Sequence, residues 1–248
     1  MNIIIITQAR FGSSRLPGKV LKKIDDTSLL ALHLRRLKKV GNVSAIIVAT
    51  TNEPESDMIT AVAKSEDCLY YKGSTEDVLD RFYNAAQLIN SSYVVRVTSD
   101  CPLIDHILVS KAIQYTLDNS FTYCMLSEQF PDGVDVEVFR TEELTDAYLN
   151  AKLPSEREHV TPYIRNKSKF NGTYGQYECE EGDFKTIRFT VDEEDDYKAI
   201  ERLISNLGAE RGWKEYANFI KNNPSMFKNQ ELIRNAGYSK SLLDDKSS

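Results

Sequence analysis

The chain has 248 residues, with 31 Lys and Arg against 37 Asp and Glu, a net charge of −6 and 41% hydrophobic residues. That length suits one large domain, and ordinary apolar and charged fractions exclude a disordered or fibrous chain. The acidic balance argues against nucleic acid as a partner, and no apolar run approaches the roughly 20 residues of a membrane helix.

The opening MNIIII turns apolar at once with no basic stretch before it, which predicts a first strand at residues 2–7 and not a signal peptide. A nearly wholly apolar strand belongs in a parallel sheet covered on both faces. Leu29, Leu30, Leu34, Leu37 and Val40 then recur at three and four residues, an amphipathic helix with basic residues in its last turn, ending near Gly41. A strand at 45–50 follows, then a helix marked by Met58, Ile59 and Val62, a short strand at 68–71, a helix from Val78 to Ile89, and a strand at 93–97. This alternation predicts a doubly wound, mostly parallel α/β sheet with right-handed crossovers. Ligands of such sheets sit beyond the carboxyl ends of the strands, so residues 8–19, 51–55, 73–77 and 98–103 are where function is expected.

The second half is less regular. Strands are predicted at 121–126, 134–139, 174–179 and 186–191, and a helix at 141–151 with Thr141 as its N-cap. Pro154 opens another helix, which Pro162 either interrupts or restarts, and Tyr197, Ile200, Leu203, Ile204 and Leu207 mark a late amphipathic one. The simplest organisation is a single domain over residues 1–241, with an irregular β-rich insertion near 121–185 and a frayed polar tail at 242–248. Four scattered cysteines without metal-ligand spacing suit a reducing cytoplasm and argue against a zinc site.

The segment QARFGSSRLPGK (8–19) places three cations and two glycines directly after a buried strand of an acidic chain. Glycines admit close approach of backbone N–H groups, and Arg and Lys neutralise phosphate. Its spacing is neither that of a Walker A loop, since Val20 stands where Ser or Thr is needed, nor GxGxxG. Two carboxylates also fall just beyond predicted strands: Asp100 after 93–97 and Asp192 after 186–191. Such a pair is the usual protein share of a magnesium site, and an Asx turn or a helix N-cap is the alternative for each.

Several blocks together resemble a known family. ARFGSSRLPGKVL (9–21), VATT (48–51), GSTEDVLDRFYNAA (73–86), VRVTSDCPLID (95–105), DGVDVEVF (132–139), EREHVTPYI (156–164), RFTVDEEDD (188–196) and RNAGYSKSL (234–242) are similar, in this order, to the cytidylyltransferases that activate acidic sugars. These are the CMP-KDO and CMP-sialate synthetases and, most of all, the spore-coat polysaccharide branch. Ser99 and Cys101 stand where KDO synthetases have Gly and Glu, and Val20 where the sialate branch has Asn, which fits the spore-coat branch.

The resemblance implies a Rossmann-like, GT-A-like nucleotidyltransferase sheet, a cytoplasmic homodimer, CTP and a small acidic sugar or sugar phosphate as substrates, and Mg²⁺ as cofactor. Arg10, Arg15 and Lys19 would grip the β- and γ-phosphates of CTP, helped by Ala9, Gly12 and Ser13, with Ser74, Arg81 and Thr98 completing the nucleotide contacts. Arg10, Lys19, Asp100 and Asp192 would carry catalysis, the two aspartates holding the metal. Arg81 is either a base or phosphate contact or the partner of Asp77, four residues before it. On the acceptor side, Asp135 and Glu137 share one face of a predicted strand, and Glu156, Arg157 and His159 offer carboxylates for hydroxyls and cations for an acidic group. His33 and His106 are expected to be structural. Two rival readings are a GT-A-type glycosyltransferase using a sugar nucleotide, and a non-catalytic nucleotide-binding relative.

Overall fold

The computed structural model describes residues 1–232 together with Ser241, Leu242 and Asp245. The family block at 234–242 and the expected frayed tail at 242–248 lie outside the described residues, except for those three.

The elements in chain order are β1 (Ile3–Gln8), β2 (Lys23–Ile24), β3 (Thr27–Ser28), α1 (Leu29–Leu37), β4 (Ala45–Thr51), α2 (Ser56–Ser65), β5 (Leu69–Gly73), α3 (Val78–Ala86) and β6 (Tyr93–Thr98). They continue with α4 (His106–Asp118), β7 (Tyr123–Leu126), β8 (Glu137–Arg140), α5 (Thr141–Asn150), α6 (Pro154–His159), α7 (Pro162–Phe170), β9 (Tyr174–Tyr177), α8 (Glu194–Leu207) and α9 (Trp213–Asn222). Among the described residues the main sheet has 7 strands in the order β5-β4-β1-β6-β8-β7-β9, and β2 and β3 form a small separate hairpin. Strands β5, β4, β1 and β6 run parallel, and β8 is antiparallel to both its neighbours. Residues 121–185, expected as an irregular β-rich insertion, add β7, β8 and β9 to the far half of this sheet, with α5, α6 and α7 interleaved. No helix among the described residues is long and apolar enough to cross a membrane.

The run of isoleucines explains why β1 is central. Ile3 and Ile5 face one core, with Val95, Val97, α4, α8 and α9, while Ile4 and Ile6 face the other, with α3, α5 and α7. A strand apolar on both faces is stable only where helices cover both. From β1 the chain steps outward through β4 to β5, then returns to the opposite side of β1 as β6. The order therefore reverses between β1 and β6, and their carboxyl ends open the crevice where such sheets take ligands.

Three sequence expectations need correction. Residues 186–191 do not join the sheet: Thr186 lies in a turn, the one bridge is the parallel pair Asp132–Arg188, and backbone bonds tie the segment to Asp132 and, from Val191, to Asp100, because β9 ends the sheet elsewhere. The predicted strand at 134–139 becomes ladder only at Glu137, although Val134, Val136 and Val138 keep the alternation and are buried. Thr141 is the first residue of α5 and not its cap; Arg140 precedes the helix, and the Thr141 hydroxyl is instead 3.0 Å from that of Ser91. Pro162 restarts a helix. Val160, at φ 70°, separates α6 from α7, and proline suits the first turn of the second because its missing N–H has no partner to lose there.

Candidate active site

The crevice is a cleft of about 820 Å³. Its walls come from the loop after β1, the ends of β6 and β7, the start of β8, α6, and the segment from Arg188 to Asp192. Eight Arg or Lys side chains and seven carboxylates line it, so the cleft reverses the sign of an otherwise acidic chain. Salt screens charge over roughly 8 Å, so this local balance governs an approaching anion more than the net charge does. Of the residues singled out by sequence, Ala9, Arg10, Ser13, Arg15, Lys19, Arg81, Thr98, Asp100, Asp135, Glu137, Arg157, His159 and Asp192 line the cleft; Gly12, Ser74 and Glu156 do not.

Its centre is Lys19. Gly18, at φ +66°, turns the chain into a short 3-10 turn at Lys19–Leu21, and a Cβ there would sit 2.9 Å from the Phe11 ring. The left-handed backbone favours glycine there, and any larger residue would also press on the Phe11 ring. The Lys19 ammonium donates to Asp100 Oδ2 at 3.1 Å, Asp192 Oδ1 at 2.8 Å and the Val191 carbonyl at 2.7 Å. The two carboxylates thus meet on one cation although 92 residues separate them in sequence. The other oxygen of Asp192 takes Arg15 at 3.1 Å and Arg188 at 3.1 Å. Burial opposes charge on Lys19, but Asp100 and Asp192 outweigh it and hold the ammonium above its ordinary value. Burial likewise pushes the Asp100 carboxyl up, yet Lys19, with Thr98 and Cys101 donating, holds it at about 2.

Backbone bonds place these groups. Val191 N–H donates to the Asp100 carbonyl at 2.7 Å, and Ser99 N–H to that of Gln8 at 3.2 Å, which joins the ends of β1, β6 and the 188–192 segment. His33, fully buried on α1, supports the same loop. Its Nδ1 is 2.8 Å from the Cys101 carbonyl, and because a carbonyl only accepts, Nδ1 carries the proton; Nε2 then accepts from Thr7, 2.9 Å away. Burial lowers the His33 value to about 4 from an ordinary 6.5, so the unfolded chain binds the extra proton between those values. Stability should therefore fall as pH drops from 6.5 towards 4, by up to roughly 3 kcal/mol from this residue. Urea unfolding at several pH values should show a flatter acid limb for His33→Gln; parallel losses in the two proteins would assign the acid sensitivity elsewhere.

Arg81 is not the surface partner of Asp77. It is 2% exposed, donates from Nη1 to the Ser74 carbonyl, and has an Nε that is buried without a hydrogen-bond partner. Burial and the like charge of Arg10 push it down to about 10. Asp77 instead caps α3 and takes Arg157, whose third nitrogen donates to the Tyr148 carbonyl at 3.0 Å. Ser74 accepts from the Asp77 N–H at 3.0 Å, a turn contact rather than one that faces the cleft. Gly12 has open space beside it, with Glu53 the nearest group at 3.9 Å.

On the acceptor side, Glu137 takes Tyr123 and Thr161 (2.6 Å) on one oxygen and Arg96 on the other. Asp135 precedes β8 and accepts from the Gly133 N–H at 3.1 Å. His159 lies 3.0 Å from the Ser241 hydroxyl, and burial lowers its value. Glu156 faces away and closes its own helix, accepting from Lys152 N–H and Leu153 N–H at 3.1 Å each. Glu156→Ala should cost about 1 kcal/mol of stability, the worth of a helix N-terminal cap, and leave kcat and KM for both substrates unchanged. Thermal unfolding beside steady-state kinetics decides this, and a raised acceptor KM would return Glu156 to the binding wall. Arg96, Arg165, Arg188 and Asp132 line the cleft without having been singled out. Arg96 and Arg188 carried a signal: each is a cation inside an apolar, strand-like run, and a buried cation has to be paired.

A model of the cytidylyltransferase family matches residues 4–233, nearly the whole chain. The chain belongs to the cytidylyltransferase family. It is 37% identical over 243 residues to an uncharacterized protein of Methanocaldococcus jannaschii, covering 96% of this chain and 98% of that one. It is 30% identical over 212 residues to the spore coat polysaccharide biosynthesis protein SpsF of Bacillus subtilis, covering 84% of this chain and 88% of its relative. The solved structure of a cytidylyltransferase from Leptospira borgpetersenii superposes with a TM-score of 0.87 at 32% identity, over 94% of this chain and all of that one. This cytidylyltransferase is accordingly a nucleotidyltransferase, built on the α/β sheet its sequence predicts.

Proposed function

We propose that this cytidylyltransferase transfers CMP from CTP to a hydroxyl of an acidic sugar, releasing pyrophosphate, in the synthesis of a surface polysaccharide or glycan. The observation that carries the reading is the meeting of Lys19, Asp100 and Asp192 beside the cationic loop, in a cleft of about 820 Å³ that accommodates a nucleotide and a sugar together. Arg10, Arg15 and Lys19 hold the β- and γ-phosphates, so that pyrophosphate leaves into a cationic wall. Ala9, Gly12, Ser13, Ser74, Arg81 and Thr98 shape the remaining nucleotide site, and Asp135, Glu137, Arg157 and His159, with Arg96, the acceptor end. Catalysis then consists mainly of placing the hydroxyl in line with the α-phosphorus and neutralising charge.

The donor set fits Mg²⁺. Asp100 Oδ2, Asp192 Oδ1 and the Val191 carbonyl, all hard oxygens, converge within 3.1 Å on the Lys19 ammonium, whose place a bound ion would take as Lys19 turns to the outer phosphates. Mg²⁺ is commonly held by one or two carboxylates and completes its shell with substrate phosphates and water. Asp100 and Asp192 would hold it, and when bound it would neutralise charge developing on the α-phosphate.

We place the reaction in the cytoplasm, where CTP is available and where four free, buried cysteines persist, and we expect a homodimer, which sedimentation velocity reads directly. The acceptor class is tested by pyrophosphate release from CTP against a panel of acidic sugars and sugar phosphates beside their neutral analogues. An acidic acceptor should be turned over at least about tenfold better than its neutral analogue, the worth of one charge-assisted contact. Equal rates would remove the acidic-sugar assignment while leaving the nucleotide chemistry standing.

A further inference from the structure

Arg188 is among the most buried cations of the cleft, its side chain 5% exposed, and it meets three carboxylates. Nε donates to Asp196 Oδ1 at 2.8 Å and Nη2 to Asp196 Oδ2 at 3.0 Å, a two-point grip on a side chain with no solvent exposure. Nη1 donates to Asp132 at 2.5 Å, and Nη2 also reaches Asp192 Oδ2 at 3.1 Å. A planar guanidinium fixed at two points has no freedom left, so its contact with Asp192 is set by the helix that carries Asp196.

That helix end is itself fixed. Asp196 Oδ2 accepts the N–H groups of Asp192 and Glu193 at 2.9 and 3.0 Å, and Asn229 donates to Oδ1 from the far side at 3.1 Å. The backbone around Arg188 is tied to the DGVD motif: Asp132 N–H donates to the Ile187 carbonyl at 2.9 Å and Phe189 N–H to that of Asp132 at 2.6 Å. Gly133, at φ +103°, lets the two segments touch, since a Cβ there would lie 2.4 Å from the Thr190 nitrogen. The acidic run DGVD and the run RFTVD are thus two halves of one clamp around Arg188.

The clamp decides which way the Asp192 carboxylate faces. One oxygen is engaged by Arg188 and Arg15, and the other points at Lys19, where Asp100 also arrives. We propose that Arg188 is a positioning residue for Asp192: gripped by Asp196 and Asp132, it holds one carboxylate oxygen and so turns the other towards Asp100, which sets the metal affinity of the pair. This rests on the reading of Asp100 and Asp192 as the magnesium carboxylates.

The test is the binding of Mn²⁺–CTP to the protein without acceptor, followed by water-proton relaxation, with thermal unfolding measured on the same samples. Arg188→Met removes the fork and leaves Asp196 buried without its cation; because that variant risks failing to fold, Arg188→Lys, which keeps the charge and loses the two-point grip, is measured with it. Asn229→Ala removes the amide bonds to Asp196 Oδ1 and to the Arg188 carbonyl but leaves the guanidinium and its contact with Asp192 in place, so it reports loosening of the surrounding structure without loss of the fork. The proposal expects Arg188→Lys to weaken Mn²⁺–CTP binding by about 10-fold or more, in the range that loss of a supporting contact costs a metal site, and Asn229→Ala by less than about twofold. If both variants weaken binding alike, in proportion to their loss of thermal stability, Arg188 is a structural residue and the proposal falls. Asp192→Asn separates the two levels of the argument. If it binds Mn²⁺–CTP as the parent does, the metal assignment fails and takes the proposal with it. If Asp192→Asn is weakened and Arg188→Lys is not, only the role of Arg188 is overturned.

Discussion

Asp100→Asn should fold normally and lose most divalent-metal-dependent pyrophosphate release, on the order of a hundredfold in kcat, about 2.7 kcal/mol at 1.36 kcal/mol per decade. An amide keeps the shape of the side chain but is a poor ligand for a hard dication. The carboxylate it replaces is ionised over the whole working range, because Lys19 holds Asp100 at about 2 against the upward pull of burial. The fold should survive, since Lys19 retains Asp192 at 2.8 Å and the Val191 carbonyl at 2.7 Å, and the Asp100 backbone keeps its bond from Val191. Pyrophosphate release measured against Mg²⁺ concentration, beside a melting curve, reads both halves of the expectation. Near-normal turnover would take Asp100 out of the mechanism.

Loss of the loop cations should discriminate between nucleotides. Arg10→Ala should weaken CTP by roughly 1.5–3 kcal/mol and CMP by much less, as the proposed grip on the β- and γ-phosphates requires. Arg10 is exposed, so its removal disturbs little else and gives the cleaner measurement. Lys19→Ala should lose CTP affinity to a similar extent and turnover as well, since it also takes the shared cation from Asp100 and Asp192. Calorimetric titration with CTP and CMP separates the cases, and equal losses for the two nucleotides would place both cations away from the outer phosphates.

The parallel half of the fold is legible in the sequence because its signals are local. Four consecutive isoleucines, the three-and-four spacing of Leu30, Leu34 and Leu37, and the glycines and cations of residues 10–19 each declare themselves within a dozen residues. What sequence misplaces depends on partners far away. Residues 186–191 alternate like a strand, but their backbone meets Asp132 and Asp100 instead of a ladder. Arg157 stands beside Glu156 in a charged run, and only tertiary structure brings it to Asp77, 80 residues away, whereas Glu156 caps its own helix locally. Glu137 illustrates the same limit. Its alternation with Val136 and Val138 marks it as facing away from the core, yet its oxygens are engaged by Tyr123 of β7, Arg96 of β6 and Thr161 from the turn between α6 and α7. Arg188 carries only the weak signal of a cation between Ile187 and Phe189; its three acidic partners lie 56, 4 and 8 residues away.

Attack on the α-phosphorus of CTP, as proposed, is read most directly by phosphorus NMR of a reaction with CTP, Mg²⁺ and an accepted acidic sugar. Transfer of CMP should make the three CTP resonances give way to one pyrophosphate signal and one phosphodiester signal coupled to the sugar, in a 2:1 ratio, because the two phosphorus atoms of pyrophosphate are equivalent. Appearance of CDP with inorganic phosphate or a phosphorylated sugar would place the attack at the γ-phosphorus and contradict it.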